Sequence, residues 1–279
     1  MRAAPALRGV IAVALVTVCL MWGARPLVAD GVEIPPHIDE LTCKSFSASD
    51  RPSADWQHID GAIADVVAAP RVSRAAAARA RTALDRGAEL LERAFGERAI
   101  AASRLSVCLV TERQSIAAAP GMNADPSVAG AAVTGARLAI VAVDTTSGDL
   151  DRIVLHEAAH LLASERARAE AERALPMWLS EGLAELAASE VMGTTDELHR
   201  AALKLKARQA LPSLRELQTG LRVGASAPEI QQFYAASASA TAYLVSTRGW
   251  NRIWEMLRIT GKLPANLETE WLAHLDSIR

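Results

Sequence analysis

Residues 150–163 read LDRIVLHEAAHLLA, and this stretch decides how the rest of the chain is read. Asp149 is an N-cap residue and Asp151 places an acid in the first turn, which predicts a helix from Leu150 to about Arg168. Within it His156-Glu157-Ala158-Ala159-His160 has the form H-E-x-x-H. Residues four apart on a helix point the same way to within ~40°, so His156 and His160 can bind one zinc ion. Glu157 projects beside that seam, within reach of a water on the ion.

Catalytic zinc keeps three protein ligands and one open position, so a third ligand is required. The extended motif with a helix-breaking Gly and a third His is absent, because Ala163 and Arg166 occupy those positions. Pro176 restarts the chain into a second predicted helix, Met177 to Met192, which opens with Met177-Trp178-Leu179-Ser180-Glu181-Gly182-Leu183-Ala184-Glu185. The separation from His160 is enough to finish one helix, turn, and return against it. Glu181 is therefore the expected third ligand. Glu185, one turn further on, is expected to accept an N–H from a ligating imidazole and fix its tautomer. For both glutamates the alternative is an ordinary surface position on a helix.

Upstream, Asp30 to Arg71 is broken by prolines and suits an extended lead-in with one or two short strands. Ser73 to Arg98 carries Leu84, Ala88, Leu91 and Phe95 in a helical stripe. Arg104 to Thr111 reads as a strand, Ser115 to Gly130 as loop, and Ala131 to Asp144 as a second strand or a hairpin. Downstream, Ser164 to Arg173 (SERARAEAER) reads as a solvated helix face. Further helical patterns cover Asp196–Ala210, Ala227–Ser246, Asn251–Thr260 and Asn266 onward, with Trp250 and Trp254 as core. Strands precede helices, which is the α+β arrangement.

The chain has 279 residues, 51% hydrophobic and 22% charged, the composition of a folded globular protein. Its 30 basic and 32 acidic residues give a net charge of −2. Residues 1–29 hold three arginines and no acid, and without them the balance is −5, which argues against a nucleic-acid partner. Those residues have the form of an export signal: Arg2 and Arg8, an apolar run from Gly9 to Trp22, and a cleavage site after Ala29. A periplasmic or secreted location is expected, with membrane attachment only through an uncleaved signal anchor. Cleavage leaves two cysteines, Cys43 and Cys108, expected to pair as a disulfide in an oxidising compartment, with two separate buried thiols as the alternative. His37, His58, His199 and His274 lack ligand spacing and read as surface or packing residues.

H-E-x-x-H followed by W-L-x-E-G-x-A-E resembles the gluzincin metallopeptidases, the thermolysin-like superfamily, and within it the peptidase MA-like domains. The resemblance spans roughly Arg104 to the C-terminus and is specific in its two motifs. It implies a zincin-like fold, with an N-terminal α/β lobe (30–164) carrying the HEAAH helix, a helical C-terminal lobe (165–279), and zinc in the cleft between them. It also implies that the Ala131–Val143 strand forms the cleft edge and pairs with an extended substrate.

The function expected is a zinc peptidase acting on peptide or protein substrates outside the cytoplasm, with one zinc per chain and Glu157 as general base. A reading of a different class is a secreted zincin-fold module that binds zinc or a partner without turnover. Tyr234 and Tyr243 are the two tyrosines, nine residues apart and so on opposite faces of their helix. Tyr234 precedes the small residues Ala235, Ala236 and Ser237, which would let its helix approach the site. It is the expected oxyanion donor, a role the resemblance also implies for this lobe, with a core tyrosine as the alternative.

Overall fold

The structure, a computed structural model, describes residues 56–278 apart from 102–104, 114–115, 117–128, 135–136, 144–148, 172–173 and 223. The expected signal segment, His37 and Cys43 lie outside the described residues.

A five-stranded mixed sheet comprises β1 (Gln57–Ile59), β2 (Ala64–Ala68), β3 (Leu105–Val110), β4 (Gly130–Val133) and β5 (Leu138–Ala142), in the order β1-β2-β3-β5-β4. Strands β2, β3 and β5 are parallel neighbours, whereas β1 and β4 pair antiparallel at the two edges. Every residue of β3 and β5 is buried. Continuous apolar runs such as LSVCLV and LAIVA are what strands covered on both faces require. Parallel neighbours need a crossover, and α1 (Arg74–Phe95) supplies it between β2 and β3. The separation of strands from helices expected from the sequence is therefore incomplete, with one βαβ unit in the first half.

Helix α1 begins at Ser73, whose side chain accepts from Ala76 N, and buries Leu84, Leu91 and Phe95 of the expected stripe. It ends at Gly96, before the short α2 (Glu97–Ala101). The segment expected as a second strand or hairpin is the hairpin β4–β5.

Helix α3 (Leu150–Ala171) carries HEAAH across β4 and β5 and runs unbroken past residue 164. Its C-terminal part departs from the solvated face expected for 164–173. Glu165 is 8% exposed and accepts from Arg137, in the β4–β5 turn, at 3.0 Å. An arginine 28 residues away in another element cannot be read from the sign alternation of α3 itself, so the buried ion pair escaped the pattern.

Helix α4 (Met177–Met192) is followed in the chain by α5 (Thr195–Ala207), α6 (Leu214–Thr219), α7 (Ala227–Arg248), α8 (Trp250–Thr260) and α9 (Leu267–Ser277). Helix α6 went unanticipated, although Ser213 and Glu216 form a capping box around its start. The most extensive helix contacts are α3 with α4 and α4 with α7, and buried side chains from sheet and helices form one continuous core. Trp250 and Trp254 join it as expected, packing edge-on to Phe95, and Trp254 Nε1 donates to Ala94 O at 2.9 Å. No helix among the described residues is long and apolar enough to cross a membrane.

Candidate metal centre

Because α3 and α4 pack against each other, the seam of one faces the first turns of the other. His156 and His160 are 2% and 1% exposed, and Glu181 is 1% exposed. Their ligand atoms converge: His156 Nε2 and His160 Nε2 are 2.9 Å apart, and Glu181 Oε2 is 3.4 Å from the first and 3.3 Å from the second. Tetrahedral ligands at 2.0–2.1 Å from an ion are about 3.3–3.4 Å from one another. Two edges of the triangle already have that length. The third, an imidazole–imidazole hydrogen bond, has only to widen by about 0.4 Å. Glu181 Oε2 is buried and faces the two imidazole nitrogens, an acceptor aimed at the same point. This buried group could hold a metal ion.

Each imidazole is held at its other nitrogen. His160 Nδ1 is 3.0 Å from Ser180 Oγ, and His156 Nδ1 is 3.3 Å from Glu185 Oε1. Glu185 in turn forms a close ion pair with Arg152, one turn before His156 on α3. Neither Ser180 nor Arg152 was anticipated. Their positions four residues before His156 and one before Glu181 become meaningful only once the two helices are seen to cross.

Glu157 is fully buried beside the pair, and its carboxylate lies under β4. A Cβ on Gly130 would sit 2.7 Å from Glu157 Oε1 and 2.7 Å from Ile153 Cγ2, so glycine is required for the strand to approach this closely. The approach of α7 to α4 rests on another glycine. A Cβ on Gly182 would lie 2.0 Å from Thr241 Oγ1 and 2.5 Å from Ser237 O. That contact brings Tyr234 to the site, its ring centroid 6.5 Å from that of His156. Tyr243, on the far face as the nine-residue spacing requires, donates instead to Glu270 at 3.5 Å.

The electrostatics follow from three buried carboxylates, Glu157, Glu181 and Glu185, at 0%, 1% and 5% exposure. Buried anions demand positive charge nearby. Arg152 supplies one unit, and a divalent cation between His156, His160 and Glu181 would supply the other two. The imidazoles respond to the same field. Burial opposes the His156 imidazolium, but hydrogen bonds to Glu181 and Glu185 overcome it and raise the pKa to about 10. For His160 burial prevails and lowers the pKa, leaving it the neutral acceptor of the pair. Burial likewise opposes the Glu181 and Glu185 carboxylates. The coupled imidazole pair facing Glu181 and the Arg152 guanidinium facing Glu185 outweigh that cost and hold each near 2.

Away from this centre, His199 and His274 lie with ring centroids 5.1 Å apart on α5 and α9, and His199 Nδ1 is 3.1 Å from Ser239 Oγ. They are half-buried packing residues, and no local spacing signals that they meet. His58 is exposed on β1. Cys108, fully buried in β3, is disulfide-bonded, while its expected partner Cys43 lies outside the described residues. Compared with known proteins, the chain matches no family model and no curated protein.

Proposed function

We propose that this chain is a zinc-dependent peptidase of gluzincin type, working outside the cytoplasm. The observation that carries the reading is the convergence of His156, His160 and Glu181 on one point with Glu157 buried beside them. Two imidazoles and a carboxylate, with no cysteine, are a donor set suited to catalytic zinc. Zinc held there supplies Lewis acidity that makes water nucleophilic near neutral pH.

The remaining work belongs to the chain's own groups. Glu157 accepts a proton from the attacking water and passes it to the leaving amine. Gly130 keeps that carboxylate against the sheet edge, where β4 offers backbone groups to an extended peptide. The Tyr234 phenol, on the side of α7 facing His156, donates to the developing oxyanion.

A second reading, a zinc-binding or partner-binding module without turnover, is favoured by one observation. His156, Glu157, His160 and Glu181 are each 2% exposed or less, so a substrate has to open the site before chemistry begins. A peptide-library digest with the zinc-loaded wild type and the Glu157→Gln variant separates the two. A peptidase cleaves as wild type and not as Glu157→Gln, with zinc retained by both. No cleavage by either supports the module.

A further inference from the structure

Two ligands on one helix are oriented by unlike means. His160 Nδ1 meets a neutral hydroxyl, Ser180 Oγ, at 3.0 Å. His156 Nδ1 meets a carboxylate, Glu185 Oε1, at 3.3 Å, and the other oxygen of that carboxylate is clasped by Arg152. We propose that Arg152 is a positioning residue of the metal centre, holding Glu185 where it aims His156 Nε2 at the ion. This inference rests on the metal reading given above.

The geometry distinguishes Arg152 from the other arginines near the start of α3. Arg79 and Arg86 reach Asp151, at 2.5 and 3.5 Å, on the side of α3 facing α1. Arg152 bridges α3 to α4 instead. It stands one turn before His156, so guanidinium and imidazole share a helix face and Glu185 spans both.

Glu185 has a side chain only 7% exposed, and that of Arg152 is 32% exposed. The carboxylate is thus too buried for water to hold its orientation, and the guanidinium performs that task from the rim. A carboxylate released from Arg152 is free to rotate toward Glu181 or to leave the interior. In either case the imidazole loses the acceptor that fixes its tautomer, with Nδ1 protonated and Nε2 bare for the metal. Charge points the same way. Arg152 and a divalent cation together match the three buried carboxylates, so loss of the arginine leaves an excess negative charge beside the ligands.

The test is zinc affinity by chelator competition at fixed pH, with thermal unfolding of the zinc-free chains as a check on the fold. Arg152→Met is expected to weaken zinc binding by about 10-fold or more, as loss of a ligand-orienting partner does. Arg152→Lys, which keeps the charge and one donor, should recover a substantial part of that loss. Arg79→Met, which removes the neighbouring ion pair without touching Glu185, should leave zinc affinity unchanged. In a Glu185→Ala background, Arg152→Met should weaken zinc no further, because its route to His156 is already gone. Equal weakening with and without Glu185, or wild-type affinity in Arg152→Met, overturns the proposal while leaving the metal centre intact. Absence of zinc binding by the wild type overturns the metal reading and this proposal with it.

Discussion

Gly182→Ala isolates the contact on which the site's construction depends. In an unencumbered helix interior this change is stabilising by about 0.8–1 kcal/mol through helix propensity. Here the new Cβ would lie 2.0 Å from Thr241 Oγ1 and 2.5 Å from Ser237 O, against an ordinary contact distance of 3.4 Å or more. The hydroxyl can rotate away, but the carbonyl belongs to the backbone of α7. Helices α4 and α7 must therefore separate by about 1 Å, and overpacking against backbone stands at the upper end of the usual cost, about 2–3 kcal/mol. We expect a net destabilisation of about 1–2 kcal/mol, which lowers the Tm of a chain of this size by about 2–8 °C. Separation also shifts the neighbouring Glu181, so zinc affinity should fall with Tm. Adding Thr241→Ala should restore only part of both losses, since Ser237 O remains. Thermal unfolding of zinc-free protein and chelator competition read the two effects. A Gly182→Ala chain as stable as wild type, or more stable, would refute the reasoning.

Three further outcomes are expected. Glu181→Ala should nearly abolish zinc binding, whereas Glu185→Ala should weaken it about 10- to 100-fold, and chelator competition with the reverse order would exchange their roles. Zinc binding at pH 7 should release about one proton per ion, because His156, protonated up to about pH 10 in the metal-free chain, has to give up its Nε2 proton to become a ligand. Affinity should accordingly rise with pH across the neutral range, and calorimetry in buffers of different ionisation enthalpy checks the proton count. Tyr234→Phe should keep fold and zinc but lower kcat about 100-fold or more, while Tyr243→Phe, remote from His156, should leave kcat unchanged.

The parts of this structure that were legible in the sequence are those written in local spacing. HEAAH and WLSEGLAE each lie within a single helix, so periodicity alone places His156 beside His160 and Glu181 one turn from Glu185. The nine-residue interval between Tyr234 and Tyr243 likewise determines that they face apart. The illegible parts arise where separate elements meet. Arg152 and Ser180 gain their roles from the crossing of α3 and α4, and Glu165 is buried by an arginine in a distant turn. The parallel pairing of β2 with β3 depends on α1 folding back across the sheet, which short apolar strands do not announce. Gly130 and Gly182 look like a loop residue and a helix weakness, yet each permits a close approach at the site.

Metal content of the purified chain, compared between wild type and His160→Ala, tests the central claim most directly. The arrangement of His156, His160 and Glu181 predicts one zinc per wild-type chain and little or none in the variant, because two remaining ligands hold zinc far less tightly than three. A wild-type chain without metal, or full zinc occupancy in His160→Ala, would contradict it.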